Sequence, residues 1–154
     1  MLEIVDKITI KSTPDKVYNT LVFFFQSTEH YKLWHKDHIS CRWKKGKDFS
    51  TGSILIAKEY IHGTIYKLGF SIIRCEQNSG FKYKMLFPFS IICSGGSFKM
   101  VSKGTDTEML AQLNFRFGFL LKVFFKNTIE SLQNHMKEEG LNIKEMIEKG
   151  QVKL

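Results

Sequence analysis

Six successive β-strand patterns fill the middle of this chain and constrain its fold more than any other feature. Turn residues separate most of them, and these turns lie at residues 45–48, 62–63, 77–80 and 104–106. Turns this short connect neighbouring antiparallel strands. Residues 2–10 alternate in polarity and add a seventh strand at the start of the chain. The pattern therefore predicts a seven-stranded antiparallel sheet.

Two short helices are predicted between the first strand and the second. Thr13 is a favourable N-cap, Pro14 suits the first helical position, and Asp15 favours the positive end of the helix dipole. Ser27 or Thr28 can cap the second helix, which should end just before the second strand. The predicted order therefore begins with a strand and two helices, followed by six strands.

A long amphipathic helix is predicted at the end of the chain. Its apolar positions repeat at helical spacing, at Leu121, Phe125, Ile129, Leu132 and Met136. Gly140 is expected to stop it, because the residues from Asn142 onward have the form of a new helix cap. The helix must bury its apolar stripe, yet a strongly bent sheet cannot collapse fully onto it. We therefore expect the sheet to curve around the helix and to leave a cavity.

This order of elements resembles the START-related (SRPBCC) helix-grip superfamily, which includes the birch-pollen-allergen-like proteins and the polyketide cyclase/dehydrase family. Residues 8–18 resemble its opening, where a strand leads into a proline-initiated helix that is followed by an aromatic residue. The resemblance extends over the whole chain. It implies an α+β helix-grip fold and a single ligand-binding domain over residues 1–154. Because this fold hosts many activities, it says little about the ligand.

The bulk properties of the chain exclude some classes of protein. No apolar run reaches the roughly 20 residues of a transmembrane helix, and no signal peptide is visible, so we expect a cytoplasmic protein without stable membrane insertion. Three cysteines without a Cys-x-x-Cys pair fit reduced thiols. The net charge is +8, but the lysines are scattered and no nucleic-acid-binding motif is present. The charge favours anionic ligands or a membrane surface instead.

The final helix carries two residues with the spacing of metal ligands. His135 and Glu139 are four positions apart, and with Thr128 and Leu132 they form one stripe that can face the cavity. An imidazole and a carboxylate one turn apart form half of a zinc site. The alternative is a solvent-facing pair that adds a few tenths of a kcal/mol to helix stability.

Candidates for the other half of the site lie in the first third of the chain. His35 and His38 follow the second short helix, at the expected rim of the cavity, and the alternative is two exposed loop histidines. Glu59 shares one strand face with Leu55 and Ile61. If that face is interior, Glu59 is a buried carboxylate that needs a partner such as a metal. The alternative is an exposed strand end.

Taken together, residues 31–38, the strand glutamate and the His-x-x-x-Glu helix motif resemble the diacetylphloroglucinol hydrolase family. The resemblance implies a zinc ion held by two histidines and two glutamates, and hydrolysis of the carbon–carbon bond between an aromatic ring and an acetyl group. The implied ligands are His38 (or His35), Glu59, His135 and Glu139. Manganese or iron would also suit such a set. Tyr31 would contact the substrate, and His35 or a tyrosine would supply a proton to the ring carbon.

Three functions of different classes follow from these patterns. The first is a zinc-dependent hydrolase of a small aromatic or polyketide-like ketone. The second is a metal-free protein that binds or carries an apolar molecule, and the third is a module that binds another protein. For the first two functions the ligand would lie against an apolar wall formed by Trp34, Phe87, Phe98, Phe125 and Leu132. The oligomeric state is left open.

Overall fold

The computed structural model describes residues 1–154, which form seven strands and four α-helices. The strands are β1 (Leu2–Ile10), β2 (His38–Lys45), β3 (Ile54–Ile61), β4 (Thr64–Glu76), β5 (Gly80–Met85), β6 (Cys93–Lys103) and β7 (Asp106–Phe115). The helices are α1 (Pro14–Phe24), α2 (Thr28–Trp34), α3 (Gly118–Phe124) and α4 (Lys126–Glu148), and a 3-10 turn covers Phe89–Ile91.

All seven strands form one antiparallel sheet in the order β1-β7-β6-β5-β4-β3-β2. The predicted sheet is therefore confirmed. From β2 to β7 each strand pairs with the next one in sequence, and β1 pairs with β7. The C-terminal helix α4 contacts both β1 and β3, which are far apart in the strand order. The sheet therefore curves around α4, as the amphipathic pattern predicts.

The two short helices begin where the sequence indicates. Pro14 is the first residue of α1, after Thr13, whose side chain makes no capping hydrogen bond. Ser27 caps α2, because its hydroxyl oxygen accepts a hydrogen bond from the backbone N–H of His30 at 3.1 Å. This cap holds α2 so that its buried residues, Tyr31 and Trp34, point into the core.

The C-terminal helix differs from the prediction at both ends. A break at Phe125 separates α3 from α4, and α4 continues through Gly140 to Glu148. Gly140 therefore does not stop the helix, and a close contact accounts for the glycine instead. At this position α4 lies so close to β1 that a Cβ atom would come within 2.7 Å of the Asp6 carboxylate. Asn142 caps nothing and instead donates a hydrogen bond from Nδ2 to the carbonyl oxygen of Trp34 at 2.9 Å.

The apolar core consists of two clusters on the concave side of the sheet. The larger packs α1, α2 and the last turns of α4 against the sheet, and its largest fully buried side chains include Trp34, Tyr31 and Phe24. The smaller lies under α3 and the first part of α4, around Leu121 and Met136. Cys41 and Cys93 are buried, Cys75 is half-buried, and all three are unpaired. None of the helices has both the length and the apolar character required to cross a bilayer.

A register shift lies between Cys93 and Gly95, where β6 pairs with β7. Gly95 has φ +144°, and Gly96 has no room for a side chain. A Cβ atom on Gly96 would lie 2.2 Å from the carbonyl oxygen of Gln112 and 2.6 Å from the hydroxyl of Tyr83. The glycine therefore allows the backbone of β7 and a tyrosine hydroxyl to approach β6 closely.

We expect Gly96→Ala to lower the free energy of unfolding by about 3 kcal/mol, because the new methyl group collides with backbone in the middle of a sheet. The measurement is equilibrium unfolding in urea. The matched control is Gly104→Ala, at a turn with φ +70° and no atom within 4 Å. Backbone strain alone costs about 1 kcal/mol there. Equal losses in the two variants would contradict the steric explanation.

Candidate functional site

A cavity of about 240 Å³ lies between the curved sheet and α4. Of the 26 residues that line it, 21 are hydrophobic. Three of the five predicted wall residues, Trp34, Phe98 and Leu132, are among them. The lining is therefore apolar over most of its area, with a few carboxyl, imidazole and hydroxyl groups, and this combination is typical of sites for small organic molecules.

The other two predicted wall residues lie outside the cavity lining, and the prediction is corrected for both. Phe87 is 81% exposed, because β5 ends at Met85 and strand alternation no longer determines which way its side chain points. Phe125 is 55% exposed, because it occupies the break between α3 and α4 and loses the helical phase of the residues after it.

Two strands and one helix bring the four predicted metal ligands together. His38 and Glu59 are cross-strand partners in the pairing of β2 with β3. His135 and Glu139 lie one turn apart on α4, and both line the cavity together with Glu59. Thr128 and Leu132 also line it, so the whole predicted stripe of α4 faces inward. Neighbouring strand positions and one helical turn thus place four side chains around one point.

The distances within this group are short. His38 Nε2 lies 2.8 Å from Glu139 Oε1, and His135 Nε2 lies 3.5 Å from the same oxygen. The distance from His135 Nε2 to Glu59 Oε2 is 3.9 Å. One carboxylate oxygen of Glu139 therefore lies between two imidazole nitrogens, with a second carboxylate nearby.

The hydrogen bonds at this point leave room for a cation. A carbonyl oxygen only accepts hydrogen bonds, so His38 Nδ1 must donate its proton to the Tyr31 carbonyl oxygen, 3.0 Å away. In the neutral imidazole, the lone pair of His38 Nε2 then faces the carboxylate of Glu139. His135 Nε2 is buried and has no hydrogen-bond partner. Such an arrangement requires either an extra proton or a metal ion to be stable.

The charges of Glu139 and His135 stabilise each other. Burial opposes ionisation of Glu139, but the neighbouring imidazoles of His135 and His38 outweigh burial and lower its pKa well below the usual value. Burial also opposes protonation of His135, but the carboxylates of Glu139, Glu59 and Asp37 raise its pKa to about 9. The pair is therefore electrostatically suited to hold a positive charge between its members.

His35 is buried beside this group, but it is oriented differently. Its Nδ1 accepts a hydrogen bond from the backbone N–H of Asp37 at 3.0 Å, and its Nε2 is 2.8 Å from Glu138 Oε2. Both ring nitrogens are therefore engaged, and the side chain does not line the cavity. His35, His38 and His135 have nitrogen atoms within 4.8 Å of one another. Because Nδ1 of His35 accepts a hydrogen bond, its Nε2 carries a proton, whereas Nδ1 of His38 donates and leaves a lone pair on Nε2 of the neutral ring. The proposed direct proton donation by His35 to a substrate is therefore corrected.

Tyr31 supports the site from α2. Its hydroxyl donates a short hydrogen bond to Glu59 Oε1, and its ring stacks on the imidazole of His38 with 4.0 Å between centroids. Burial and the nearby carboxylate of Glu59 raise its pKa well above the usual value, so the hydroxyl stays protonated. Tyr31 lines the cavity, and it orients both a histidine and a glutamate.

Sequence reasoning missed three residues around the site. Tyr83 lines the cavity with a hydroxyl that makes no hydrogen bond, and strand alternation with Phe81 and Met85 would have indicated its inward direction. The carboxylate of Asp37 lies 3.8 Å from His35 Nδ1 and 3.9 Å from His135 Nδ1. Nothing in the local sequence indicates the contact of Asp37 with His135 or that of Glu138 with His35, since each joins residues about a hundred positions apart.

The chain matches no protein-family model and no curated protein. Solved structures do resemble it. The protein TTHA0849 from Thermus thermophilus shares 12% identity and a TM-score of 0.74, with 98% of this chain and 100% of that chain covered. Ara h 8.0201 shares 14% identity and a TM-score of 0.64, with 92% and 97% covered.

The di-domain ARO/CYC BexL from the BE-7585A biosynthetic pathway shares 13% identity and a TM-score of 0.65. The alignment covers 94% of this chain and 49% of BexL, so the chain spans about half the length of that protein. Identities this low establish the fold alone. Together with the strand order and the long C-terminal helix, these likenesses confirm the predicted helix-grip fold.

Proposed function

We propose that this protein is a zinc-dependent hydrolase that acts on a small aromatic or polyketide-like ketone, with the metal held by His38, Glu59, His135 and Glu139. The observation that carries the proposal is the convergence of these four side chains: Glu59, His135 and Glu139 line the cavity, His38 contacts Glu139 from behind them, and His135 Nε2 is buried without a hydrogen-bond partner. The chain's resemblance to the diacetylphloroglucinol hydrolase family implies the same set of ligands, with His35 as the alternative to His38.

The donor set fits a divalent metal ion. Two imidazole nitrogens and two carboxylates are ligands that zinc accepts readily, and manganese or iron would accept them as well. Metal-binding histidines usually donate their other N–H to an oxygen that fixes the ring. His38 has such a partner in the Tyr31 carbonyl oxygen, and Asp37 lies near Nδ1 of His135. A metal bound here would polarise a ketone oxygen or activate a water molecule.

The residues of the chain would orient the reacting groups. The Tyr31 hydroxyl holds Glu59, and Trp34 Nε1 donates a hydrogen bond to the carbonyl oxygen of Glu139 at 3.1 Å, which ties α2 to α4. The apolar lining excludes bulk water and would contact both faces of a flat ring. Tyr83 can donate a hydrogen bond to the ligand, because its cavity-lining hydroxyl has no partner in the protein.

The proposed reaction is hydrolysis of the bond between a ring carbon and an acyl carbon. The oxygen of water bonds to the acyl carbon, the carbon–carbon bond breaks, and its electron pair passes to the ring carbon, which takes up a proton. The products are a carboxylic acid and the ring bearing hydrogen. A structural neighbour that is described as an ARO/CYC of a biosynthetic pathway supports a polyketide-like substrate.

A second candidate function is binding of an apolar molecule without catalysis. It is favoured by the lining of the cavity, in which 21 of 26 residues are hydrophobic. In this case His38, His135 and Glu139 would form a buried ion pair that shares a proton instead of a metal.

Metal content distinguishes the two candidates. We expect the purified chain, after incubation with zinc and gel filtration, to retain one zinc ion per molecule, and His135→Ala to retain none, because the buried ligand is lost. The matched control is His62→Ala, since His62 is an exposed histidine bonded to Ser131 Oγ at 2.9 Å, and this variant should keep its zinc. Absence of bound metal from the unmodified chain would overturn the hydrolase and leave the binding protein.

A further inference from the structure

The short helix α3 presents two different apolar faces. One is buried, because Gly118 lies so close to β1 that a Cβ atom would be 2.8 Å from Leu2 Cβ, and Leu121 belongs to the smaller core cluster. The opposite face is exposed and includes Phe119 at 79% and Phe124 at 72% exposure. The helix is thus anchored by one face and offers large aromatic side chains to the solvent with the other.

A second exposed apolar segment lies beside it. Phe87, Ile91 and Ile92 are exposed in the connection between β5 and β6. The carbonyl oxygen of Ile92 accepts a hydrogen bond from the backbone N–H of Arg116 at 2.7 Å, which ties this connection to the residues just before α3. We call the exposed apolar side chains of residues 87–92 and 117–125 the docking face. Contiguous apolar surface of this kind is rare on proteins that have no partner.

The segments that form the docking face carry positive charges and no acidic residue, and the nearest acidic partner is Glu130, whose carboxylate lies 3.7 Å from Lys126 Nζ. Neither residues 77–105 nor residues 109–129 contain an aspartate or a glutamate. Arg116, Lys122 and Lys126 are exposed among the aromatic side chains. Aromatic and aliphatic side chains interleaved with lysine and arginine are the composition of segments that lie in the interface of anionic membranes.

We propose that the docking face binds the surface of an anionic lipid membrane. The exposed phenylalanines would enter the headgroup region, and the three cations would contact lipid phosphates. A second copy of the chain fits this face poorly, since a symmetric contact would bring the same cations together. Binding of this kind is interfacial, so it needs no helix that crosses the bilayer.

The docking face is adjacent to one end of the cavity. Phe89 and Phe115 line the cavity and lie in or directly beside the segments that form the face. Thr128 lines the same end, and helix geometry places it about 16 Å along α4 from Glu139. Docking would therefore place the apolar end of the cavity next to the bilayer, where apolar ligands dissolve. The docking face contains only surface residues outside the metal site, so membrane binding does not depend on the proposed catalysis.

The test is sedimentation of the full chain with vesicles of phosphatidylcholine alone and of phosphatidylcholine mixed with phosphatidylglycerol. We expect binding to the mixed vesicles, little binding to the neutral ones, and release by added salt, because salt screens the cationic contacts. Phe119→Ser combined with Phe124→Ser should weaken binding at least about tenfold, and Lys122→Glu should weaken it in the same direction.

The matched control is Leu33→Ser, which removes an exposed apolar side chain from α2, away from the docking face. This variant should bind the mixed vesicles like the unmodified chain. No binding by the unmodified chain would overturn the proposal, as would equal binding by the double variant. A dimer in solution that the double variant dissociates would assign the face to a second copy instead. Lys122→Glu is an exposed change and tests the proposal even if the double variant folds poorly.

Discussion

Glu139→Gln is expected to lower the affinity for zinc by more than about 100-fold, a larger loss than the 10–100-fold typical of residues that only support a metal ligand. The amide keeps the shape of the side chain but removes the negative charge that faces both His38 and His135. Glu139 is ionised at neutral pH, because the neighbouring imidazoles outweigh its burial and lower its pKa. The measurement is competition for zinc with a chromophoric chelator.

The neighbouring Glu138→Gln provides the comparison. Glu138 also contacts a histidine, His35, at 2.8 Å, but its side chain is half-exposed and it does not line the cavity. We expect its replacement to change zinc affinity by at most about tenfold, because it supports a histidine that is not a ligand. Equal losses in the two glutamine variants would mean that Glu139 acts only as a supporting residue.

Trp34→Ala is expected to lower the free energy of unfolding by about 3–5 kcal/mol. Trp34 is 2% exposed, stacks on Phe24 with 5.5 Å between centroids, and donates a hydrogen bond to the carbonyl oxygen of Glu139. Its removal leaves a large void where α2, α4 and the sheet meet. The measurement is urea unfolding followed by the fluorescence of Trp43, the other tryptophan of the chain.

Leu33→Ala is the control for this experiment. Leu33 precedes Trp34 on α2, but its side chain is exposed, so its replacement should change the free energy of unfolding by no more than about 0.5 kcal/mol. If Trp34→Ala cost less than about 1 kcal/mol, the packing between α2 and α4 would contribute little to stability. The position of His38 beside Glu139 would then need another explanation.

Local periodicity predicted much of the fold and one half of the candidate site. Alternation along β3 put Glu59 on the face of Leu55 and Ile61, and all three line the cavity. The four-residue spacing of His135 and Glu139 put both on one face of α4, and that face is interior. These patterns succeed because strand and helix geometry fix the relative directions of nearby side chains.

Predictions failed where packing decided the position at which a helix or strand ends or breaks. Gly140 has the sequence signature of a helix stop, but a close approach to β1 requires a glycine there, and the helix continues. Phe87 and Phe125 are large aromatic residues of the kind that line pockets, but each lies just outside a regular element. Phe87 follows the end of β5, and Phe125 precedes the start of α4, so the strand or helix periodicity does not fix the direction of its side chain. The sequence around these residues contains no signal of the neighbour that decides their environment.

By itself, the sequence determined the order of elements, the antiparallel sheet and which residues share one face of β3 and of α4, because each follows from contacts between residues close together along the chain. Only the tertiary structure decided that these faces are interior and that His38, and not His35, directs its Nε2 toward Glu139. That choice depends on hydrogen bonds to Tyr31, Asp37 and Glu138, and on the meeting of α2 and α4 across about a hundred residues. Such contacts follow from the packing of the whole chain, which no local pattern encodes.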